Sequence, residues 1–279
     1  MKQKKYGYLS LLLAIFMGLQ PQVLWAQGAS TLKQDELLGI KSNQRWHGSL
    51  SLSSAKNQDQ YSDGYMTSRA QLSYDLFSDT EFYTDLIYRR PYSSVEEEVR
   101  QYGFDDLTLG FSKTLFSNQY DNGVSFSTSG FLEGTLPTSE TSRKASMQAA
   151  TSLGAITNTV WKRIIFSTSH GFTLNFYEYE TSDTFGSSYN DSYMINNGAS
   201  LTWRITNQIN WTNAYTLYYL KNYANTENYI QAYANSLSYI VDRNFTVSAF
   251  FSWKDRIKTN NALFDDDNTY LGAGIRYVF

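Results

Sequence analysis

The stretch that decides the fold is the last one, Tyr270-Leu-Gly-Ala-Gly-Ile-Arg-Tyr-Val-Phe279. Every second residue back from the end puts Phe279, Tyr277, Ile275, Ala273 and Leu271 on one face. The other face carries Val278, Arg276, Gly274, Gly272 and Tyr270. Side chains of a β-strand alternate between two faces, so one side of this strand suits hydrocarbon and the other a crowded, partly wet interior. A strand in a closed barrel has this pattern.

The same two-residue alternation recurs upstream, separated by turn signals. Segments are expected near 46–55, 65–77, 81–90, 104–116, 123–136, 147–161, 164–179, 192–205, 209–221, 229–241, 245–255 and 269–279. The links alternate in length. Short ones fall at Ser78-Asp79-Thr80, around Asn118 to Asn122, at Lys162-Arg163, at Thr206-Asn207-Gln208 and at Asp242-Arg243-Asn244. Long polar ones fall at 56–64, 91–103, 137–146, 180–191, 222–228 and 256–268. An even strand count with short turns at one end and longer loops at the other is a barrel pattern, and a soluble sandwich has no reason to follow it.

Strand parity assigns the faces. Leu72, Tyr74 and Leu76 face lipid while Arg69, Gln71, Ser73 and Asp75 face inward; Phe82, Leu86 and Tyr88 oppose Glu81, Asp85 and Arg89. Matching these two strands sets residues 77 and 81 opposite each other, with a three-residue turn between them. Trp46, Trp161, Trp203 and Trp211 fall beside short turns or ends, and Trp253 near a long-loop end, as membrane girdles would. Tyr65, Tyr88, Tyr177, Tyr193, Tyr219, Tyr229 and Tyr270 are expected at the outer ends with Trp253.

The terminal strand resembles the C-terminal targeting strand of Gram-negative outer-membrane β-barrel proteins, in which a final Phe is the usual mark; here Leu271, Ile275, Tyr277 and Phe279 carry the likeness. The resemblance implies an all-β, transmembrane, antiparallel up-and-down barrel of 12 strands over residues 46–279, with both termini periplasmic. It also implies insertion by the barrel assembly machinery and contact with outer-membrane lipid and lipopolysaccharide.

The N-terminus reads as an export signal over residues 1–26. Lys2, Lys4 and Lys5 precede the apolar run Leu11 to Leu19, Pro21 breaks the helix, and Leu24-Trp25-Ala26 offers a cleavage site. The apolar run is shorter than the roughly 20 residues a helical span requires. Residues 27–45 are expected to form a polar periplasmic N-terminal segment, either a flexible leader or a short helix around Ser30 to Gly39. Removing 1–26 takes away three lysines and no acids, so the formal charge moves from −3 to −6. With no basic cluster, a nucleic-acid partner is not expected. The absence of cysteine excludes disulfides, thiolate metal sites and cysteine nucleophiles.

Catalysis would need a base beside a hydroxyl or a metal. Only His47 and His170 are available as imidazoles. His47 sits at the start of the first strand and reads as a mouth residue. In Ser167-Thr168-Ser169-His170-Gly171, parity turns His170 toward lipid and Ser167 and Ser169 inward, so no dyad is expected unless Gly171 marks a bulge. The acidic runs Glu96-Glu97-Glu98 and Asp265-Asp266-Asp267 fall in long loops, with no defined calcium-loop spacing. No cofactor and no metal is expected.

Inward positions carry Arg69, Asp75, Asp85, Arg89, Glu133, Arg204 and Arg276 among many serines, threonines and small residues. Charges at membrane depth pair or line water. Twelve strands lie between barrels that fill with side chains and barrels that enclose a channel. The expected function is a narrow passive channel for a small hydrophilic solute, with Arg69, Asp85, Arg204 and Arg276 as a constriction. A lipid-modifying enzyme of phospholipase or lipid A deacylase type, and a non-conducting structural or surface-recognition barrel, are the alternatives.

Overall fold

The computed structural model describes residues 45–57, 64–91, 103–182, 188–257 and 269–279. The export signal, residues 27–44 and both acidic runs lie outside the described residues.

Twelve long antiparallel strands form one sheet. They are β1 (Trp46–Asn57), β2 (Gly64–Phe77), β3 (Thr80–Pro91), β4 (Leu107–Gln119), β5 (Val124–Leu136) and β6 (Met147–Trp161). They continue as β7 (Ile164–Tyr177), β8 (Asp191–Arg204), β9 (Ile209–Asn222), β10 (Glu227–Ile240), β11 (Phe245–Arg256) and β12 (Thr269–Val278). Each pairs with its neighbours in sequence, and β1 pairs with both β2 and β12, so the sheet closes. Closure satisfies the backbone groups that an open edge would leave bare in hydrocarbon.

The seam is held by the chain's last residue. Gly48 and Phe279 exchange two backbone hydrogen bonds of 3.0 Å. The Phe279 ring covers Gly48 so closely that a Cβ there would lie 2.4 Å from its Cζ. The small residue on β1 makes room for the terminal aromatic.

Short side chains set the turns. Asp242 Oδ1 accepts from the amides of Asn244 (2.7 Å) and Phe245 (2.9 Å), and Thr206 Oγ1 accepts from those of Gln208 and Ile209. Both are side-chain mimics of a backbone turn. Lys162 takes a left-handed φ of 53° in the two-residue link between Trp161 and Ile164, where the tight hairpin demands it.

The structure corrects three local expectations. The β2–β3 hairpin has Asp75 opposite Glu81 and Phe77 opposite Thr80, not 77 opposite 81. A bulge at Leu76 shortens the turn to Ser78-Asp79 and turns Phe77 outward beside Leu76, while Arg69 to Asp75 keep their expected faces. The fourth strand begins at Leu107, three residues later than expected. Gly103–Phe104 instead makes a separate two-residue strip against Tyr88 and Arg89 on β3. In β4 a second bulge, between Thr114 and Phe116, lets Leu115 and Phe116 both face outward. Strict alternation would have buried one of those two apolar neighbours inside.

The outer face exposes Leu50, Leu132, Leu153, Phe166, Leu237 and Leu271, among others. Contiguous apolar exposure on this scale is incompatible with a water-facing surface and suits lipid. No described helix is long and apolar enough to cross a membrane, so strands are the spanning elements. The one described α-helix, α1 (Glu140–Lys144), lies in the β5–β6 loop. The carboxylate of Asp106 accepts from the Ser139 amide (2.9 Å) and the Ser142 hydroxyl, tying this loop back to the start of β4.

Candidate functional site

The interior has two unlike walls. From β6 to β10 the inward positions are small and hydroxylated: Ser152, Ser167, Ser169, Gly198, Ala214 and Thr216 share this face through the strand register. Their polar groups satisfy one another across strands. Ser152 and Thr173 hydroxyls lie 2.9 Å apart, Thr202 and Thr212 likewise, and the Ser167 hydroxyl donates to Asn158 Oδ1 at 2.6 Å.

The other wall, on β12 and β1 to β5, carries charge. Arg69 Nε donates to Asp85 Oδ1 at 2.7 Å, with side chains only 10% and 2% exposed. Ser51 stands opposite both Arg69 and Arg276, which sets the two guanidinium groups on one cross-strand row. Tyr83 on β3 reaches over Gly110 on β4 to donate its hydroxyl to Glu133 on β5 at 2.5 Å. A Cβ on Gly110 would sit 2.5 Å from Tyr83 Cζ, so the glycine is what lets the phenol lie across its strand. Glu133 in turn lies within electrostatic reach of Arg69 and Asp85. Arg69, Asp85, Glu133 and Arg276 therefore form one cluster of two cations and two carboxylates.

The remaining candidates sit elsewhere. Asp75 lies at the short-turn end, its carboxylate 3.0 Å from His47 Nε2. Arg89 lies toward the long-loop end, 2.7 Å from Asp105. Arg204 is the last residue of β8, opposite Asn210 beside the Thr206 turn. Its strand position puts it at the short-turn end of the small-residue wall.

Asp105, outside the spanning strands, has its carboxyl pushed up to about 6 by burial, which outweighs the opposing pull of Arg89. Nearer the long-loop end the inner face of β8 to β10 becomes apolar, with Met194, Tyr218, Leu220, Ile230 and Ala232 packed together. The Lys254 ammonium lies 5.7 Å from the Tyr218 ring centroid. Tyr83, Lys254 and Asp105 were not expected at the site. Tyr83 shares the parity of Glu81 and Asp85, and Lys254 that of Ser248 and Ser252, so both were open to the same reading. Asp105 was not, because the strand break at Asp105–Asp106 reverses its face.

Among the aromatic residues, Trp46, Trp161 and Trp203 are exposed on the outer face. Trp211 is half-buried and donates its Nε1 to Asn235 Oδ1. Trp253 is 3% exposed, which corrects its expected place in a lipid-facing girdle. Tyr65, Tyr177 and Tyr270 lie at the long-loop ends of their strands and point inward; Tyr65 and Tyr270 pack at 5.6 Å between ring centroids. Leu271, Ile275, Tyr277 and Phe279 all face outward.

His170 faces outward and shares a 2.8 Å hydrogen bond with Asn197, while Ser167 and Ser169 face inward. Gly171 stays in regular register, with no bulge. No group of three or more metal-ligating side chains occurs among the described residues.

No protein-family model and no curated protein matches the sequence. Solved structures match in fold. An outer-membrane channel from Pseudomonas putida F1 superposes with a TM-score of 0.61 at 8% identity, covering 84% of this chain and 95% of that one. The NanC porin superposes with a TM-score of 0.52 at 11% identity, covering 82% and 98%. The chain therefore has the closed 12-stranded antiparallel β-barrel fold seen in outer-membrane channels.

Proposed function

We propose that this protein is a narrow passive channel in the bacterial outer membrane for small hydrophilic solutes. The observation that carries the reading is the unlike pair of inner walls. A face of serines, threonines, alanines and glycines stands across from a balanced cluster of Arg69, Arg276, Asp85 and Glu133. Paired charges at membrane depth, beside a wall of hydroxylated side chains, suit a narrow water-lined path. With two cations facing two carboxylates, the path favours neutral or zwitterionic solutes over strongly charged ones. That solved structures of the same fold are a channel and a porin supports the reading.

In this account the export signal is cleaved and the terminal strand directs the barrel to its assembly machinery. The termini and short turns face the periplasm, and the outer-face tryptophans Trp46, Trp161 and Trp203 sit at the level of the lipid headgroups. An enzyme is not favoured, because His170 bonds to Asn197 on the outer face and His47 to Asp75 at the mouth. Liposome swelling tests the reading. Vesicles containing the folded protein should admit small uncharged sugars and exclude larger ones with a sharp cutoff. Swelling rates equal to those of protein-free vesicles would overturn it.

A further inference from the structure

The outer face is not uniformly apolar. On β7 to β10 it carries His170, Asn197, Asn213, Tyr215, Gln231, Tyr233 and Asn235. These lie between two aromatic rows. Trp203 and Trp211 mark one limit, and Tyr193, Tyr219 and Tyr229, packed ring to ring, mark the other. Asn197 is four residues from Tyr193 and six from Trp203, about 13 and 20 Å along an extended strand. The patch therefore sits at hydrocarbon depth. By contrast, no Asn, Gln or His faces outward on the five strands across the barrel, β11, β12 and β1 to β3.

These groups satisfy one another only in part. Asn213 Oδ1 accepts from Tyr233 and from Asn235 Nδ2, both at 2.7 Å, and Gln231 Oε1 accepts from Tyr215 at 3.2 Å. His170 takes one end of the Asn197 amide. Each of Asn197, Asn213 and Gln231 has its amide nitrogen left without a hydrogen-bond acceptor among the described residues. Lipid offers none.

We infer that this patch is the contact between copies of the chain in the membrane. Primary amides are donor and acceptor at once, so a surface of them complements itself. Between the two aromatic rows β7 to β10 present no carboxylate, lysine or arginine, and the bordering Asp255 on β11, opposite Gln231, is buried. A partner must also present polar groups at the same depth. A second copy related by an axis along the membrane normal does so automatically. Ala155 and Ala199, opposite His170 and Thr168, are small enough to let two barrels approach closely. The inference rests on the barrel being membrane-embedded but not on its conducting, so loss of the channel reading leaves it standing.

The cysteine-free chain gives a direct test. Asn197→Cys and Gln231→Cys place single thiols in the patch, and Leu72→Cys places one on the outer face of β2 as a control. Each variant is reconstituted in phospholipid vesicles at low protein-to-lipid ratio, checked for the folded form by heat-modifiable migration, and oxidised. Disulfide-linked product of twice the chain mass should form at least ten-fold more from the patch thiols than from Leu72→Cys. Equal linking at all three positions, or none at the patch, overturns the inference. Wild-type protein in lipid nanodiscs should have the mass of two or more copies; the mass of one copy overturns it as well.

Discussion

Replacing Gly110 by alanine should break the contact between Tyr83 and Glu133, and the size of the effect follows from the geometry. The new Cβ would lie 2.5, 2.7 and 2.8 Å from Tyr83 Cζ, hydroxyl oxygen and Cε2. Non-bonded carbons rest at about 3.5–4.0 Å, so the ring must move by roughly 1–1.5 Å. A hydrogen bond starting at 2.5 Å is then stretched beyond useful length unless Glu133 follows. Hydrogen bonds to charged groups contribute about 1.5–3 kcal/mol. Exchanging glycine for alanine restores about 0.4–1 kcal/mol through the unfolded chain. The net expectation is a loss of about 1–2 kcal/mol, read as a lower urea midpoint for unfolding in phospholipid vesicles followed by tryptophan fluorescence. In a Tyr83→Ala background the obstructing ring is gone, so Gly110→Ala should be neutral or slightly stabilising there. An equal loss in both backgrounds would refute the reasoning, because the alanine would then be meeting something other than Tyr83.

Three further outcomes follow from the same structure. Asp105→Asn should change how stability depends on pH. Its carboxyl is raised to about 6 in the fold, so the protonated form is favoured by folding; that contribution is full only below about pH 3 and lost as pH rises through 6. Relative to the variant, the wild type should gain about 2 kcal/mol between pH 7 and pH 4, measured by urea titration; a constant difference would exclude the burial argument. Asp85→Asn should leave the inner wall one charge more positive. A charge about 4 Å from a hydrated path is worth about 1 kcal/mol, so relative anion permeability should rise roughly five-fold in reversal-potential measurements. Gly48→Val should press on the Phe279 ring at the seam, and the folded form should lose its compact gel migration at a lower temperature than wild type.

The strand pattern was legible because lipid on one side and water or packing on the other impose a period of two on every spanning segment. Parity alone placed Arg69, Asp85, Glu133 and Arg276 on the inner face. What the alternation could not reveal were its interruptions. The bulges at Leu76 and Leu115 each add a residue without leaving a glycine or proline as a sign. The break at Asp105–Asp106 exists because Asp106 ties down the α1 loop, a tertiary contact with no local signal. Cross-strand pairing was the other loss. Parity says that Arg204 points inward, and the Thr206 turn puts it at a strand end, but the ion pair of Arg69 with Asp85 and the bond of Tyr83 to Glu133 are visible only across strands. Trp253 has the outward parity of a girdle residue, opposite Tyr233, yet it is buried.

Single-channel recording in planar bilayers tests the central claim most directly. Protein verified as folded by gel migration should insert in discrete current steps of uniform, small size with weak ion selectivity, and Asp85→Asn should shift that selectivity toward anions. Folded protein that inserts into the bilayer yet passes no current across the full voltage range would contradict the account.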